Sequence, residues 1–155
     1  MGHLRRVHAH AFHDGNHPRG YFVPEEHVIK GSFEIGDLKV TPLALPHGSM
    51  GSTGYLFEQG GEKKLAYLTD AKAVPKEVVQ AVKGVEVAVL DALRPEEHWT
   101  HMSTSEALSA AEQIGPGETI FTHLTHYYDH DIDQAKLPEG VRLAWDGLRV
   151  VSNSQ

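Results

Sequence analysis

The chain has 155 residues, 40% of them hydrophobic and 23% charged, enough for one globular core. Its net charge of −7, with histidine counted neutral, disfavours a nucleic-acid partner held by a dominant basic surface. The absence of cysteine excludes disulfides and thiolate metal sites and suits a reducing compartment such as the cytoplasm.

The start, "MGHLRRVHAH", has no apolar signal core, and no later run approaches the length of a membrane span. A short helix is predicted over 3–13, with Leu4, Val7 and Phe12 on one side. Residues 14–27, rich in Gly and Pro, read as loop. "FEIGDLKVTPLAL" reads as two strands broken at Gly36-Asp37. A clearer hairpin follows, with strands over 55–58 and 65–69 joined through Gly60-Gly61. Pro75 opens a helix to about Lys83 with Val78, Val79 and Val82 buried, and Gly84 closes it. "VEVAVLDAL" is an apolar strand ending at Asp91. "STSEALSAAEQIG" carries a capping box, Ser103 with Glu106. Its apolar face is Ala107, Leu108, Ala111 and Ile114, and Gly115 stops it. "ETIFTH" is the next strand. A short helix follows, then a strand, an Asp-Gly turn, a second strand and a polar tail over 151–155. This order predicts a single α/β domain, 1–155, with a mixed sheet.

Histidine is the outlier, with 12 residues dispersed rather than consecutive, so an expression tag does not explain them. Three apolar strands end on a possible ligand: Asp70, Asp91 and His123. Loops at the carboxyl ends of such strands gather into one crevice. His47 follows another strand, and His101 stands at the mouth of a helix. The candidate constellation is therefore His47, Asp70 and His123, with His101 beside it. Two imidazoles and a carboxylate suit zinc, with manganese or iron as alternatives, and a carboxylate can also bridge two ions.

The segments "TPLALPHGSMGSTGYLFE", "LAYLTDAKAVPKEV", "LDALRPEEHWTHMSTSEAL", "TIFTHLTHYYDH" and "LPEGVRLAWDGL" follow one another as in metallo-β-lactamase-fold hydrolases. The branch they resemble is the cyclic-phosphate phosphodiesterases of phosphonate breakdown, relatives of the tRNA 3′-end processing nucleases. The resemblance implies an αββα sandwich of two βαβ-rich halves, of which this chain supplies mainly the second. It implies that His47 and His123 are metal ligands and that Asp70 bridges two ions. It implies that His101 donates a proton to the leaving group. Asp91 and His98 sit in matching surroundings, with Asp91 placed to orient a neighbouring histidine. His126 and His130 fall to the periphery or the surface.

The family's His-x-His-x-Asp-His signature does not occur in these residues. "VHAHAFHDG" sets His8, His10 and His13 at the signature's histidine offsets, but Phe12 stands where its aspartate belongs and Asp14 is displaced. The expectation is thus a partial domain whose missing N-terminal half leaves one sheet face uncovered. A homo-oligomer or a separate N-terminal half would cover that face. The expected function is hydrolysis of a small phosphodiester, cyclic or linear, by a water activated on one or two zinc ions. The alternative is a metal-binding or interaction module derived from such a hydrolase without its turnover.

Overall fold

The computed structural model describes residues 2–12, 20 and 22–151. It divides the chain into two compact units, 1–30 and 31–155, where the sequence reads as one domain. In the first unit, helix α1 spans Gly2–Val7 and a 3-10 turn spans Ala9–Ala11. The predicted helix over 3–13 therefore breaks at His8. Leu4 and Val7 stay 46% and 56% exposed, so no buried stripe extends it. An Arg5–Glu26 ion pair at 2.8 Å ties α1 to the irregular stretch that follows Phe22. The predicted loop over 14–27 lies partly outside the described residues, as does the tail beyond Val151.

The second unit is a seven-stranded sheet whose strands neighbour one another in chain order. Strands β1 (Phe33–Ile35), β2 (Leu38–His47), β3 (Met50–Gln59) and β4 (Glu62–Leu68) form antiparallel hairpins. Strands β5 (Val87–Asp91), β6 (Glu118–Thr122) and β7 (Val141–Leu143) then add in parallel. Helices α2 (Lys76–Val82), α3 (Thr104–Ile114) and α4 (His130–Gln134) make the crossovers. The α/β mixed sheet is the expected one.

The core forms on one face. Leu43, Leu45, Leu56, Leu68, Leu90, Phe121 and Leu143 from the strands pack with Val78, Val79 and Val82 of α2 and Ala107, Ala111 and Ile114 of α3. Crossovers that step the same way across a sheet put their helices on the same side. The opposite face carries Tyr55, Tyr67, Val89 and Ile120 in register across four strands. Tyr67 there is 43% exposed.

Two sequence expectations change. The predicted strand over 55–58 is present but begins earlier, at Met50, an extension its sequence does not announce because "MGSTG" has little β propensity. It forms because Gly54 fits where nothing larger would: a Cβ there would stand 2.8 Å from Leu68, 2.9 Å from Leu45 and 2.9 Å from the Tyr67 carbonyl. At the other end the Asp146-Gly147 turn is present, with Gly147 at φ 90°, but the predicted second strand of that hairpin does not form. The three-residue β7 gives it too short a partner, and residues 148–151 run free of the sheet.

Candidate metal centre at the sheet rim

Strand direction gathers the site. β3 runs against both β2 and β4, so β2 and β4 point the same way, as do β5 and β6. The carboxyl ends of all four therefore meet one rim. His47 is the last residue of β2 and Asp91 the last of β5, His123 directly follows β6, and Asp70 follows β4 after one residue. His101 returns to this rim because the segment after β5 folds back on itself. The Leu93 amide donates to the Met102 carbonyl at 3.0 Å, and Arg94 bridges to Ser103.

The rim backbone is cross-tied. The Lys72 amide donates to the Pro46 carbonyl at 2.8 Å and the Met102 amide to the Ala71 carbonyl at 2.9 Å. The Ala92 amide donates to the Thr122 carbonyl at 3.1 Å. Asp70 and His123 take left-handed conformations, φ 55° and 62°, the two non-glycine residues that do so among those described. Each turns the chain sharply off its strand, and such positions concentrate at functional sites.

His47, Asp70 and His101 each offer a ligand atom, and these atoms lie within 4.8 Å of one another. His123 joins through Nε2, 3.6 Å from Asp70 Oδ1, and its ring stacks on His101 with centroids 4.8 Å apart. All four expected residues thus come together. The tightest triple contains His101, whereas the sequence constellation has His123 in that place.

Both inner imidazoles are anchored through Nδ1. His47 Nδ1 lies 3.2 Å from the Thr100 carbonyl, and His101 Nδ1 lies 2.6 Å from Asp91 Oδ2. Each ring is left with Nε2 for the centre. Asp91 is fully buried, and its Oδ2 also accepts from the Ala71 amide at 2.9 Å. Its Oδ1 is buried without a hydrogen-bond partner. One carboxylate therefore fixes both the His101 ring and the chain just after Asp70, an orienting role of the kind expected for it.

His98 lies one ring further out, 5.3 Å from His101 between centroids, with the Thr100 amide donating to its Nδ1 at 3.3 Å. Desolvation, then the charges of Arg94 and His101, hold its pKa below the ordinary imidazole value. Tyr128 pins the segment after His123: its hydroxyl donates to the Ala92 carbonyl at 2.9 Å and pairs with Thr104 Oγ1 at 2.7 Å. Burial pushes that phenol above its ordinary pKa. His126 and His130 are exposed, as expected, against Tyr127 and Trp145. His8 and His10 stand edge-on with ring centroids 6.1 Å apart, and His13 lies outside the described residues. Among the described residues, His47, Asp70 and His101 form the one group of three spaced to hold a metal ion. No described helix is long and apolar enough to cross a membrane.

The sequence model of the β-lactamase superfamily domain matches residues 2–124. A solved diphosphatase of the PhnP family superposes with TM-score 0.73 at 33% identity, over 79% of this chain and 46% of that one. Zn²⁺-bound PqqB from Methylobacterium extorquens superposes with TM-score 0.65 at 18% identity, over 79% of this chain and 53% of that one, a likeness of fold. An octanoyltransferase of Porphyromonas gingivalis is 31% identical over 121 residues, 77% of this chain and 24% of that protein. The chain thus spans about half the length of those solved structures and about a quarter of that curated relative.

Proposed function

The chain belongs to the β-lactamase superfamily, and from that premise we propose that its rim centre holds a divalent metal and serves hydrolysis of a small phosphodiester. One observation carries the reading: His47, Asp70 and His101 bring their ligand atoms within 4.8 Å of one another, with His123 3.6 Å from Asp70. Imidazole nitrogens and a carboxylate oxygen in this number fit zinc first, manganese or iron next. The phosphoryl substrate class is supported by the likeness to a PhnP-family diphosphatase at 33% identity. A divalent ion bound here would lower the pKa of water and stabilise the phosphoryl oxygens.

The protein groups then divide the work. His47, Asp70 and His123 hold the ion. His101 supplies a proton to the leaving alkoxide from Nε2, while Nδ1 keeps its bond to Asp91. The half-exposed side chains of Asp70 and His123, at 51% and 40%, leave the substrate side open. Anchoring through Nδ1 would equally suit a metal ligand, so the roles of His101 and His123 are separated by substitution.

The test is zinc content with turnover of bis(p-nitrophenyl) phosphate. His47→Ala, Asp70→Ala and His123→Ala should each weaken zinc at least about tenfold. His101→Ala should keep zinc and lose about 10²- to 10³-fold in kcat. Loss of zinc in His101→Ala but not in His123→Ala would exchange the two roles. Stoichiometric zinc with no turnover in the parent chain would favour a metal-binding module, and no stoichiometric zinc at all would remove the proposal.

A further inference from the structure

Three rings step outward from the centre: His101, buried; His98, half-buried; and Trp99, 74% exposed. The His101 and His98 centroids are 5.3 Å apart and those of His98 and Trp99 are 6.1 Å apart. An exposed tryptophan on a loop is ordinarily free to swing. This one rests on a built seat. Gly48, the residue after His47, takes φ +58°, and a Cβ placed there would stand 2.7 Å from the Thr100 methyl and 3.0 Å from the Trp99 ring. The indole edge thus packs on the bare backbone of the β2–β3 turn, beside His47. Met50, the first residue of β3 and 73% exposed, pairs with His47 across that turn.

A large aromatic ring that is positioned yet left bare adds nothing to the core, and this one stands one ring beyond His98 on the segment that carries His101. We propose that Trp99 is a specificity-determining residue: its indole stacks a planar aromatic substituent carried on the phosphoryl group. The inference rests on the proposed metal centre, since that centre fixes where phosphorus sits. Stacking on an aromatic side chain contributes about 1–3 kcal/mol per ring, so a ring-bearing ligand gains about fivefold to a hundredfold over one without it. Gly48 is a positioning residue, because any side chain there displaces the indole.

The experiment compares two non-hydrolysable phosphonates, phenylphosphonate and methylphosphonate, titrated calorimetrically into zinc-loaded protein. Both offer the same oxygens to the centre, and one carries a ring. The parent chain should bind phenylphosphonate about tenfold more tightly. Trp99→Ala should erase that preference while leaving methylphosphonate affinity unchanged, and Trp99→Phe should restore part of it. Gly48→Ala serves as the second variant and should also reduce the preference. Equal preference in the parent chain and Trp99→Ala would overturn the stacking role and leave the metal centre standing. Failure of both phosphonates to bind zinc-loaded protein would overturn the two together.

Discussion

His123 at φ 62° and Asp70 at φ 55° put the cost of the site in the backbone itself. A side chain in the left-handed region is disfavoured by about 1–2 kcal/mol, with aspartate and histidine among the residues that bear it best. Neither residue is needed there for the core, since both are at least 40% exposed. His123→Gly should therefore raise the stability of metal-free protein by about 1 kcal/mol. His123→Ala should bring no such gain. Chemical denaturation with chelator present reads this, and a His123→Gly variant no more stable than His123→Ala would contradict the strain. The same substitution should lose zinc, so stability and binding move in opposite directions. At this scale the sequence revealed which residues stand at strand ends, because residue type and strand limits are local. It did not reveal the left-handed turns, nor that His101 would close on His47 and Asp70. That approach depends on Asp91 holding the His101 ring from ten residues away.

Helix α3 shows how a local signal survives folding. Ser103 and Glu106 make the capping box that their spacing announces, and Gly115 ends the helix at φ 61°. The box also serves the site, because Ser103 follows His101 by two residues and holds the loop at the helix entrance. Ser103→Ala should cost about 1 kcal/mol. Glu106 adds a pH dependence. Burial pushes its carboxyl up, but the bonds from Lys72 and Ser103 together bring it below the ordinary glutamate value. A carboxylate depressed on folding contributes stability that is complete above its unfolded pKa and lost as pH falls through the folded one. Glu106→Gln should thus destabilise at neutral pH and matter little well below the ordinary glutamate range. An equal loss at both pH values would refute that sign. The first half of β3, residues 50–54, was illegible by contrast. Its signal is an absence, the missing Cβ of Gly54 that lets Leu45 and Leu68 close over it.

Across the whole second unit, one face of the sheet is covered by α2 and α3 and the other by neither. On that other face Tyr55, Phe57, Leu65, Tyr67 and Val89 remain partly exposed, with Tyr67 at 43%. The strands themselves were readable as apolar runs. What covers this face was not, because periodicity reports that a side is apolar and says nothing of its partner. A contiguous apolar row of this kind marks an interaction surface. In isolation the chain is therefore expected to self-associate through it. The row lies on the sheet face while the candidate ligands lie on the rim, so the two can be perturbed separately. Tyr67→Lys puts a charge at the centre of the row and should weaken association about tenfold or more. It should leave zinc stoichiometry unchanged, because Tyr67 stands three residues before Asp70 and its side chain lies on the exposed face. Light scattering across a concentration series, with zinc analysis on the same samples, checks both parts. A monodisperse monomer in the parent chain at every concentration would mean the apolar row does not mediate self-association. Loss of zinc together with loss of association would mean that the centre depends on the assembly rather than on the rim alone.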